Sequence, residues 1–489
     1  MQVTTTPWLL PTGHKRTLQV VGFLCSSALA VAGVGSGAVY KVGSKDALAN
    51  ALHLLFLRNN PVAQGICTWV SFVAVLGLLA CWGLAGRYLR SFSRREVLVL
   101  AVSWLVPLLV APPLYSGDIY AYAGQGHLVA NSIDPYVYGP GDYEPTSKFS
   151  FNMDPVWRYS PAPYGPLWLG LSGLAVGIPG NHLLVSLYLL RGIEVLGFLL
   201  LAWAVPRLAR TYGVPVNRAL WLVLLNPLLL LHGIAGGHND ILMVGLVAAG
   251  LAVVARRPGW ASLIAGTALV TLAALIKAPA LAVVPFLPLL AGRRLAVSIP
   301  VAAVVVGAVA EGMALATGLG WGWIRVLSKQ GEHPGLWSLA WGVRALARNA
   351  GGPGGAVDTS VRVLMLAALG VSLVAVWLLT LRGRLHPVTG AGLAMLALFV
   401  LGFSVQPWYL AWGLVPLATV VRRRHAVLLA AFSGALTLYL LPGGRNWVRP
   451  PLYGVPVLLA LGLALLVTRK IVPALADRPE HELELTASA

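Results

Sequence analysis

The chain has 489 residues, of which 58% are hydrophobic and only 10% are Asp, Glu, Lys or Arg. At a mean hydropathy of +0.78, too few polar residues remain to cover a water-soluble surface, which excludes an ordinary soluble enzyme. The net charge of +19 comes from short basic clusters between apolar runs, a pattern that argues against a nucleic-acid-binding face. The sequence therefore predicts an all-α polytopic membrane protein with the lipid bilayer, and no nucleic acid, as its partner.

The basic clusters predict the topology, because cytoplasmic loops of membrane proteins carry an excess of Lys and Arg. Two spans for each interval between clusters give about 14 transmembrane helices, with both termini in the cytoplasm. The predicted spans are 17–40, 62–86, 96–115, 181–206, 216–235, 239–255, 260–276, 278–292, 295–315, 360–381, 390–405, 408–421, 426–441 and 451–468. The span at 278–292 is short and contains Pro279, Pro285 and Pro288, so we expect a broken or re-entrant helix there.

The domain organisation is simple, since no segment resembles a separate soluble domain. Residues 1–475 are predicted to form one transmembrane domain, and the charged segment 476–489 a disordered cytoplasmic tail. The apolar segment 167–178 lies outside the span count and is predicted to be an interfacial helix on the outer surface. The three cysteines fall inside predicted spans, which indicates packing residues rather than disulfides or metal ligands: Cys25, Cys67 and Cys81.

The longest break in the apolar pattern is the outer loop at 116–180, which is rich in Tyr, Pro, Asn and Asp. Asp118 stands where an apolar segment ends, and the next residues are Ile119, Tyr120, Ala121 and Tyr122. A carboxylate at the membrane edge beside aromatic and amide side chains predicts a pocket for a polar ligand with hydroxyl groups. The ordinary alternative is that Asp118 caps a juxtamembrane helix, and the two roles are compatible.

Further polar groups fall on the same predicted outer face, at the ends of other spans. They are His238, Asn239 and Asp240 after a Gly-Gly turn, Lys277, Gln406, Trp408 and Tyr409, and Arg445. Each has an ordinary explanation as well: a helix cap for the first group, an interfacial aromatic belt for Trp408 and Tyr409, and a cation reaching the interface for Lys277. Their shared sidedness favours a ligand site, in which Lys277 contacts a phosphate.

Two opposite charges lie inside one predicted span. Arg191 and Glu194 are three residues apart on a helix, and a charge at the centre of a membrane helix costs about 2.5–3.5 kcal/mol on the insertion scale. Because side chains at this spacing are neighbours on a helix, we expect the two to form an ion pair with an architectural role.

The sidedness of the site restricts the chemistry. Nucleotide-activated sugars are cytoplasmic, and the enzymes that use them usually carry soluble nucleotide-binding domains, for which this chain has no room. An outward-facing site must take its activated group from a molecule that has already crossed the membrane, and a lipid phosphate carrying a sugar meets that requirement. One carboxylate can then act as general base on an acceptor hydroxyl, with inversion at the anomeric carbon.

Five motifs resemble the membrane-embedded GT-C glycosyltransferases that use polyprenyl-phosphate sugars, and most closely the actinobacterial α-1,6-mannosyltransferases of the MptA and MptB type. The motifs are GDIYAYAGQG around Asp118, IDPYVYGP at 133–140, SPAPYGPLW at 160–168, NPLLLLHGIAGGHND at 226–240 and VQPWYLAW at 405–412. They cover about a sixth of the chain, in the order and on the membrane side that the family shows.

The resemblance implies a GT-C fold with juxtamembrane helices in a large outer loop, and a multi-pass enzyme of the plasma membrane with its active site on the extracytoplasmic side. It implies transfer of mannose from polyprenyl-phosphate mannose to a mannosylated glycolipid, the α-1,6-mannan core of lipomannan and lipoarabinomannan. Asp118 is then the catalytic base. The substrate-binding residues expected are Tyr120, Tyr122, Gln125, Asp134, Tyr136, Tyr164, His238, Asn239, Asp240, Lys277, Gln406, Trp408, Tyr409 and Arg445.

No cofactor is expected, because no metal-binding motif is present and a lipid phosphate is already a good leaving group when cations hold it. Asp134 and Asp154, the next candidates for a second catalytic acid in the loop, stand in Asp-Pro steps that equally suit turn formation. Three alternatives stay open: a GT-C enzyme for another polyprenyl-phosphate sugar, a flippase or transporter for a lipid-linked sugar, and a non-catalytic scaffold. A transporter predicts related halves with sites at the midplane, whereas the polar motifs here gather at one face.

Overall fold

The computed structural model describes residues 12–37, 53–329, 335, 338–440 and 442–443. Across these ranges the regular elements are helices and no strand occurs, so the all-α prediction is confirmed. Five of the described helices are long and apolar enough to cross a membrane, or six if a bent pair forms one span. The five are Thr12–Ser36, Pro61–Arg87, Leu183–Thr211, Leu295–Thr317 and Gly354–Leu381. The count of about 14 spans and the GT-C fold stay predictions.

The other predicted spans correspond to shorter helices or lie outside the described residues. The shorter helices are Arg94–Leu109, Val216–Val223, Asp240–Arg256, Trp260–Ala274, Pro387–Leu401, Leu410–Ala418 and Arg423–Thr437. The span at 451–468 and the tail at 476–489 lie outside the described residues. All three cysteines are free and lie within the first two long helices, as expected of packing residues.

Local sequence explains where several helices begin and end. Ser93 and Glu96 form a capping box at the start of Arg94–Leu109, each side chain accepting the other's backbone N–H. Glu96 also pairs with Lys15 of the first helix at 3.1 Å. The helix ends at Leu109, earlier than the predicted 115, and Pro112 and Pro113, which lack the N–H that a helix needs, follow close behind.

Two of the predicted spans are broken at prolines. The prediction of one helix over 216–235 is wrong, because the helix Val216–Val223 is broken at 224–226, just before Pro227, and a π-helix follows at Leu229–Ala235. The break predicted at 278–292 is confirmed, since a 3-10 helix at Ala278–Phe286 is followed by the short helix Leu287–Ala291. The π-helix and the helix Asp240–Arg256 meet at an angle of 114°. Residues 236–239 form the bend, and all four are buried.

The loop at 116–180, predicted to be outside, contains helices, as the resemblance implies. They are Asp118–Ala130, Pro140–Tyr143, Lys148–Phe151, Pro155–Arg158 and Pro166–Gly177. The first and last of these pack closely because Gly126 meets the backbone of Ser172 and Gly173 meets Val129, where larger residues would clash. The prediction of a helix at 167–178 is thus confirmed as an element.

The prediction that Arg191 pairs with Glu194 is wrong. The Arg191 guanidinium instead donates to the carbonyl oxygens of Leu109 at 2.8 Å, Ala111 at 2.7 Å and Ala235 at 3.0 Å. Glu194 accepts the backbone N–H of Leu242 at 3.1 Å. Spacing along a helix places two side chains on one face, but free carbonyl oxygens at neighbouring helix ends compete for the guanidinium. Arg191 therefore ties together the two chain segments that lead to Asp118 and to the 236–239 bend.

Candidate active site

Asp118 is the first residue of the helix Asp118–Ala130, and its side chain is 27% exposed. No side chain caps this helix, whose N-cap position is Gly117, and the backbone N–H of Asp118 donates to the Ser116 hydroxyl. The carboxylate is thus not held by the backbone at the beginning of its own helix. It remains available at a partly open position, beside the buried ring of His238, whose Nε2 lies 3.6 Å from Asp118 Oδ2.

His238 is fixed from two sides in the bend between the π-helix and Asp240–Arg256. Its Nδ1 lies 2.6 Å from the carbonyl oxygen of His232, and its ring stacks on Trp408 at 3.8 Å. Burial lowers the pKa of His238 below its ordinary value, although the carboxylates of Asp118 and Asp240 oppose this effect. Burial thus favours the neutral form of the imidazole.

Asp240 is buried and holds two partners. Its oxygens accept from Lys277 Nζ at 2.9 and 3.0 Å, and Oδ1 accepts from the indole N–H of Trp412 at 2.6 Å. Lys277 lies in the turn after Trp260–Ala274, 4.3 Å from the ring centroid of Tyr409 and 5.5 Å from that of Trp412. Burial alone would lower the pKa of Lys277, but the Asp240 carboxylate outweighs it and raises that pKa. Lys277 is thus a cation in an aromatic setting, with 12% of its side chain exposed.

A group of aromatic and amide side chains surrounds the two acids. Tyr122 donates to Asn239 Oδ1 at 3.4 Å and packs edge-on against Tyr164 at 5.3 Å and Trp168 at 5.0 Å. Tyr122 and Gln125 stand four and seven residues after Asp118, so the three share one face of their helix. The alternative of a helix cap for residues 238–240 is not supported, because Asn239 occupies the N-cap position of Asp240–Arg256 but no side-chain hydrogen bond caps this helix.

Several buried polar atoms of this group have no hydrogen-bond partner. They are His238 Nε2, Asn239 Nδ2, Trp408 Nε1, Gln125 Oε1 and Trp168 Nε1. Buried donors and acceptors are normally paired, so such a concentration marks positions where a polar ligand could complete the bonding. The set includes donors as well as acceptors, which matches the demands of sugar hydroxyl groups.

Other predicted site residues lie at the edge of this group or outside the described residues. Tyr120 is on the opposite face of the helix from Asp118. Tyr136 reaches the site through its hydroxyl, which donates to the Tyr164 carbonyl at 3.1 Å. Gln406 is half-buried at the start of the short helix Pro407–Tyr409, and Arg445 lies outside the described residues.

Asp134 and Asp154 form local turns in the loop. Asp134 accepts the backbone N–H of Tyr136 at 2.8 Å, and Asp154 accepts that of Val156 at 2.9 Å as the cap of a short helix. Both therefore have the structural role that their Asp-Pro steps suggested.

Two residues that the sequence did not single out belong to the site. Trp412 binds Asp240 and stacks on Tyr409 at 4.1 Å, while His232 lies between Tyr115 at 4.2 Å and Trp408 at 5.4 Å. Helical spacing was the available signal for Trp412, which follows Trp408 by four residues. His232 is buried in an apolar run, with no neighbouring polar residue to mark it. In the part of the chain that the structure describes, no three His, Cys, Asp or Glu side chains are grouped as metal ligands.

Comparison with known proteins decides the family. The sequence profile of the MptA/MptB family, described as the α-(1→6)-mannopyranosyltransferase N-terminal domain, matches residues 19–293, and that of the MptB C-terminal domain matches residues 337–470. The chain belongs to the MptA/MptB family. The resemblance found in the five motifs is therefore confirmed, and the first of these profiles includes Asp118, the 236–240 segment and Lys277.

Relatives from mycobacteria are named, like the family, as α-(1→6)-mannopyranosyltransferases. A Mycolicibacterium smegmatis protein named "Probable α-(1→6)-mannopyranosyltransferase" is 34% identical over 72% of this chain and 70% of its own length. Two Mycobacterium tuberculosis proteins follow: one named α-(1→6)-mannopyranosyltransferase, 33% identical over 67% of this chain and 66% of its own length, and α-(1→6)-mannopyranosyltransferase A, 30% identical over 85% and 82%. No solved structure matches the chain significantly. These names support a mannosyltransferase, and the long apolar helices support its place in a membrane.

Proposed function

We propose that this MptA/MptB-family protein transfers mannose from polyprenyl-phosphate mannose to an α-1,6-mannan acceptor on the outer face of the plasma membrane, with inversion at the anomeric carbon. The acceptor is a mannosylated glycolipid of the lipomannan and lipoarabinomannan type. One observation carries the proposal: the site holds two carboxylates in opposite environments. Asp118 is partly exposed and without a Lys or Arg partner among the described residues, whereas Asp240 is buried against Lys277.

The contrast assigns a different role to each acid. Asp118 is the base, because a ligand hydroxyl can approach its carboxylate from the open side. Asp240 is committed to Lys277 and Trp412, so it shapes the site rather than accepting a proton from the substrate. Two carboxylates whose surroundings differ this strongly are the usual arrangement for separate roles in one reaction.

The reaction is a direct displacement. Asp118 accepts the proton of the acceptor hydroxyl, the acceptor oxygen bonds to the anomeric carbon, and the bond from that carbon to the phosphate oxygen breaks. The leaving group is a lipid phosphate, whose charge requires cations. Lys277 is the cation within the described site, and its Nζ has a third N–H beyond the two that bind Asp240. The mechanism we propose needs no metal.

The unpaired donors and acceptors of the aromatic group would bind the sugar. Asn239 Nδ2 and Trp408 Nε1 are donors, and Gln125 Oε1 is an acceptor. Aromatic faces such as those of Tyr122 and Tyr164 suit the apolar face of a pyranose ring. Because the groups come from separate elements, the pocket they form would be specific for the arrangement of the hydroxyl groups.

The test is transfer from radiolabelled polyprenyl-phosphate mannose to a short α-1,6-mannoside by purified protein in detergent. We expect Asp118→Asn to lower the transfer rate by roughly 10²–10⁴-fold, because it removes the base while preserving its shape. Asp142→Asn is the matched control, since Asp142 is an exposed acid of the same loop that bonds only the local backbone N–H of Gly139. Its rate should stay within a few-fold of the wild type.

Other outcomes would change the assignment. Activity of Asp118→Asn close to the wild type would remove Asp118 as the base. Wild-type transfer of a different polyprenyl-phosphate sugar in place of mannose would keep the reaction and change the donor. Loss of wild-type transfer on addition of EDTA would contradict a metal-independent mechanism.

A further inference from the structure

The bonding of the His238 ring determines where its proton lies. A carbonyl oxygen can only accept, so the 2.6 Å contact with the His232 carbonyl requires an N–H at His238 Nδ1. Neutral imidazole carries one N–H, which leaves Nε2 with a free lone pair. This Nε2 is buried, has no hydrogen-bond partner and lies 3.6 Å from Asp118 Oδ2. Two acceptors therefore face each other across a short gap.

A hydrogen bond can form across this gap only when one of the two atoms carries a proton. When Asp118 is ionised, its Oδ2 and His238 Nε2 both present lone pairs, so they repel each other and no hydrogen bond can join them. When Asp118 has taken a proton, its O–H can donate to Nε2, and the contact becomes favourable. Hydrogen bonds of catalytic groups are often long before substrate binds and shorten later, so 3.6 Å is within reach of this change.

We propose that His238 is a positioning residue whose Nε2 accepts a hydrogen bond from protonated Asp118, so that the pair shares the proton released by the acceptor hydroxyl. The proposal rests on the proposed function of Asp118 as the base. In the step, the acceptor O–H bond breaks as its oxygen bonds to the anomeric carbon. The bond to the phosphate oxygen breaks with its electron pair, and the proton ends on Asp118 Oδ2, bonded to His238 Nε2.

Two surrounding contacts keep the His238 ring in this orientation. The stack on Trp408 fixes the plane of the ring, and the His232 carbonyl fixes its rotation. The charged and titratable groups that face His238 are Asp118, Asp240, Lys277 and His232. Asp240 and Lys277 form a pair with each other, so their opposite charges largely cancel at the ring. Asp118 is therefore the group whose protonation changes the hydrogen bonding of Nε2.

Two variants remove Nε2 while each preserves one of the fixed contacts. His238→Phe retains a ring against Trp408, and His238→Asn retains an amide N–H that can bond the His232 carbonyl. Both should lower transfer about tenfold or more, and both should move the acid limb of the pH–rate profile to lower pH by about one unit. The direction follows because the protonated state of the pair loses its hydrogen bond, so Asp118 gives up its proton more readily and is a weaker base.

His182→Phe is the matched control, because His182 is an exposed histidine that does not cap its helix through its side chain. Its rate and its pH profile should equal those of the wild type. Thermal unfolding in detergent and binding of the donor identify which variants are folded, and either of the two His238 variants is sufficient for the test.

Each result decides between specific alternatives. A lower rate with an unchanged acid limb in a folded variant would show a purely structural role and overturn the proposal. An acid limb displaced to higher pH would show that His238 is a cation paired with Asp118, which also overturns it. Failure of the proposed function is a separate result, since it would appear as a lack of mannose transfer by the wild type.

Discussion

Single residues at this site are defined by what surrounds them more than by their type. Asp118 and Asp240 are identical side chains, yet one is 27% exposed beside a neutral histidine and the other is 1% exposed between a lysine and a tryptophan. A carboxylate without water is stable only when a cation and hydrogen-bond donors replace its hydration. Asp240 meets that condition through Lys277 and Trp412, so the pair acts as one structural unit.

Removal of one partner of the Asp240–Lys277 pair should destabilise the protein more than removal of both. Asp240→Asn leaves a buried cation and Lys277→Met a buried anion, so each change should destabilise the protein by roughly 3–5 kcal/mol. The double variant leaves no uncompensated charge and should lose less than either single change. Thermal unfolding of the four proteins in detergent measures the coupling as a double-mutant cycle.

A surface ion pair is the control for that cycle. Asp358 pairs with Arg344 at 2.6 Å and with Arg348 at 2.7 Å, and the three side chains are 32%, 21% and 43% exposed, respectively. Because exposed pairs contribute about 0–1 kcal/mol, Asp358→Asn should change stability far less than Asp240→Asn. Additive effects of the two buried changes would show that Asp240 and Lys277 do not depend on each other.

In the transfer assay, Lys277→Met should raise the KM of the lipid-phosphate donor more than that of the acceptor, and equal changes would argue against a phosphate contact.

At the scale of elements, the site depends on bends between helices rather than on the helices themselves. The 236–239 bend carries His238 and Asn239, and its shape requires glycine at two successive positions. Gly237 has φ +67°, in the left-handed region, and a Cβ added there would lie 2.5 Å from Ile119 of the Asp118 helix. This glycine thus allows the bend to lie directly against the helix that presents the base.

The contact with Ile119 makes position 237 sensitive to an added side chain. Gly237→Ala should destabilise the protein by about 1–2 kcal/mol through the positive φ alone, and the clash with Ile119 should push His238 away from Asp118. The transfer rate should therefore fall more than the loss of stability explains. Gly307→Ala is the control, because Gly307 lies in the helix Leu295–Thr317 with open space around it, and alanine there favours the helix. A transfer rate equal to that of Gly307→Ala would show that the bend tolerates a side chain.

The sequence could predict which segments meet at the site, but not how their side chains bond. Sidedness alone grouped Asp118, Asp240, Lys277 and Trp408, because polar residues at the outer ends of spans have one common surface. It could not show that Lys277 already binds Asp240, since the two are 37 residues apart and the contact depends on two bends. The predicted ion pair of Arg191 with Glu194 was wrong for a related reason, because backbone carbonyl partners leave no pattern in a sequence.

At the scale of the whole molecule, the charge distribution and the position of the site lead to one conclusion. In the predicted topology, Asp118 and the 236–239 bend lie at one side of the membrane. Basic clusters such as Arg422, Arg423 and Arg424 lie at the other side. If those clusters face the cytoplasm, the site opens outward, where nucleotide sugars are absent. The proposed lipid-phosphate donor depends on this orientation.

The last prediction tests the orientation by cysteine labelling. In a variant with Cys25, Cys67 and Cys81 replaced by alanine, a single cysteine is introduced at Val156, which is 69% exposed in the outer loop, or at the exposed His425 beside the basic cluster. A membrane-impermeant maleimide should label Val156→Cys in intact cells and His425→Cys only after permeabilisation. The reverse pattern would place Asp118 on the cytoplasmic side, where nucleotide sugars are available, and the argument for a polyprenyl-phosphate donor would then fail even if mannose transfer were observed.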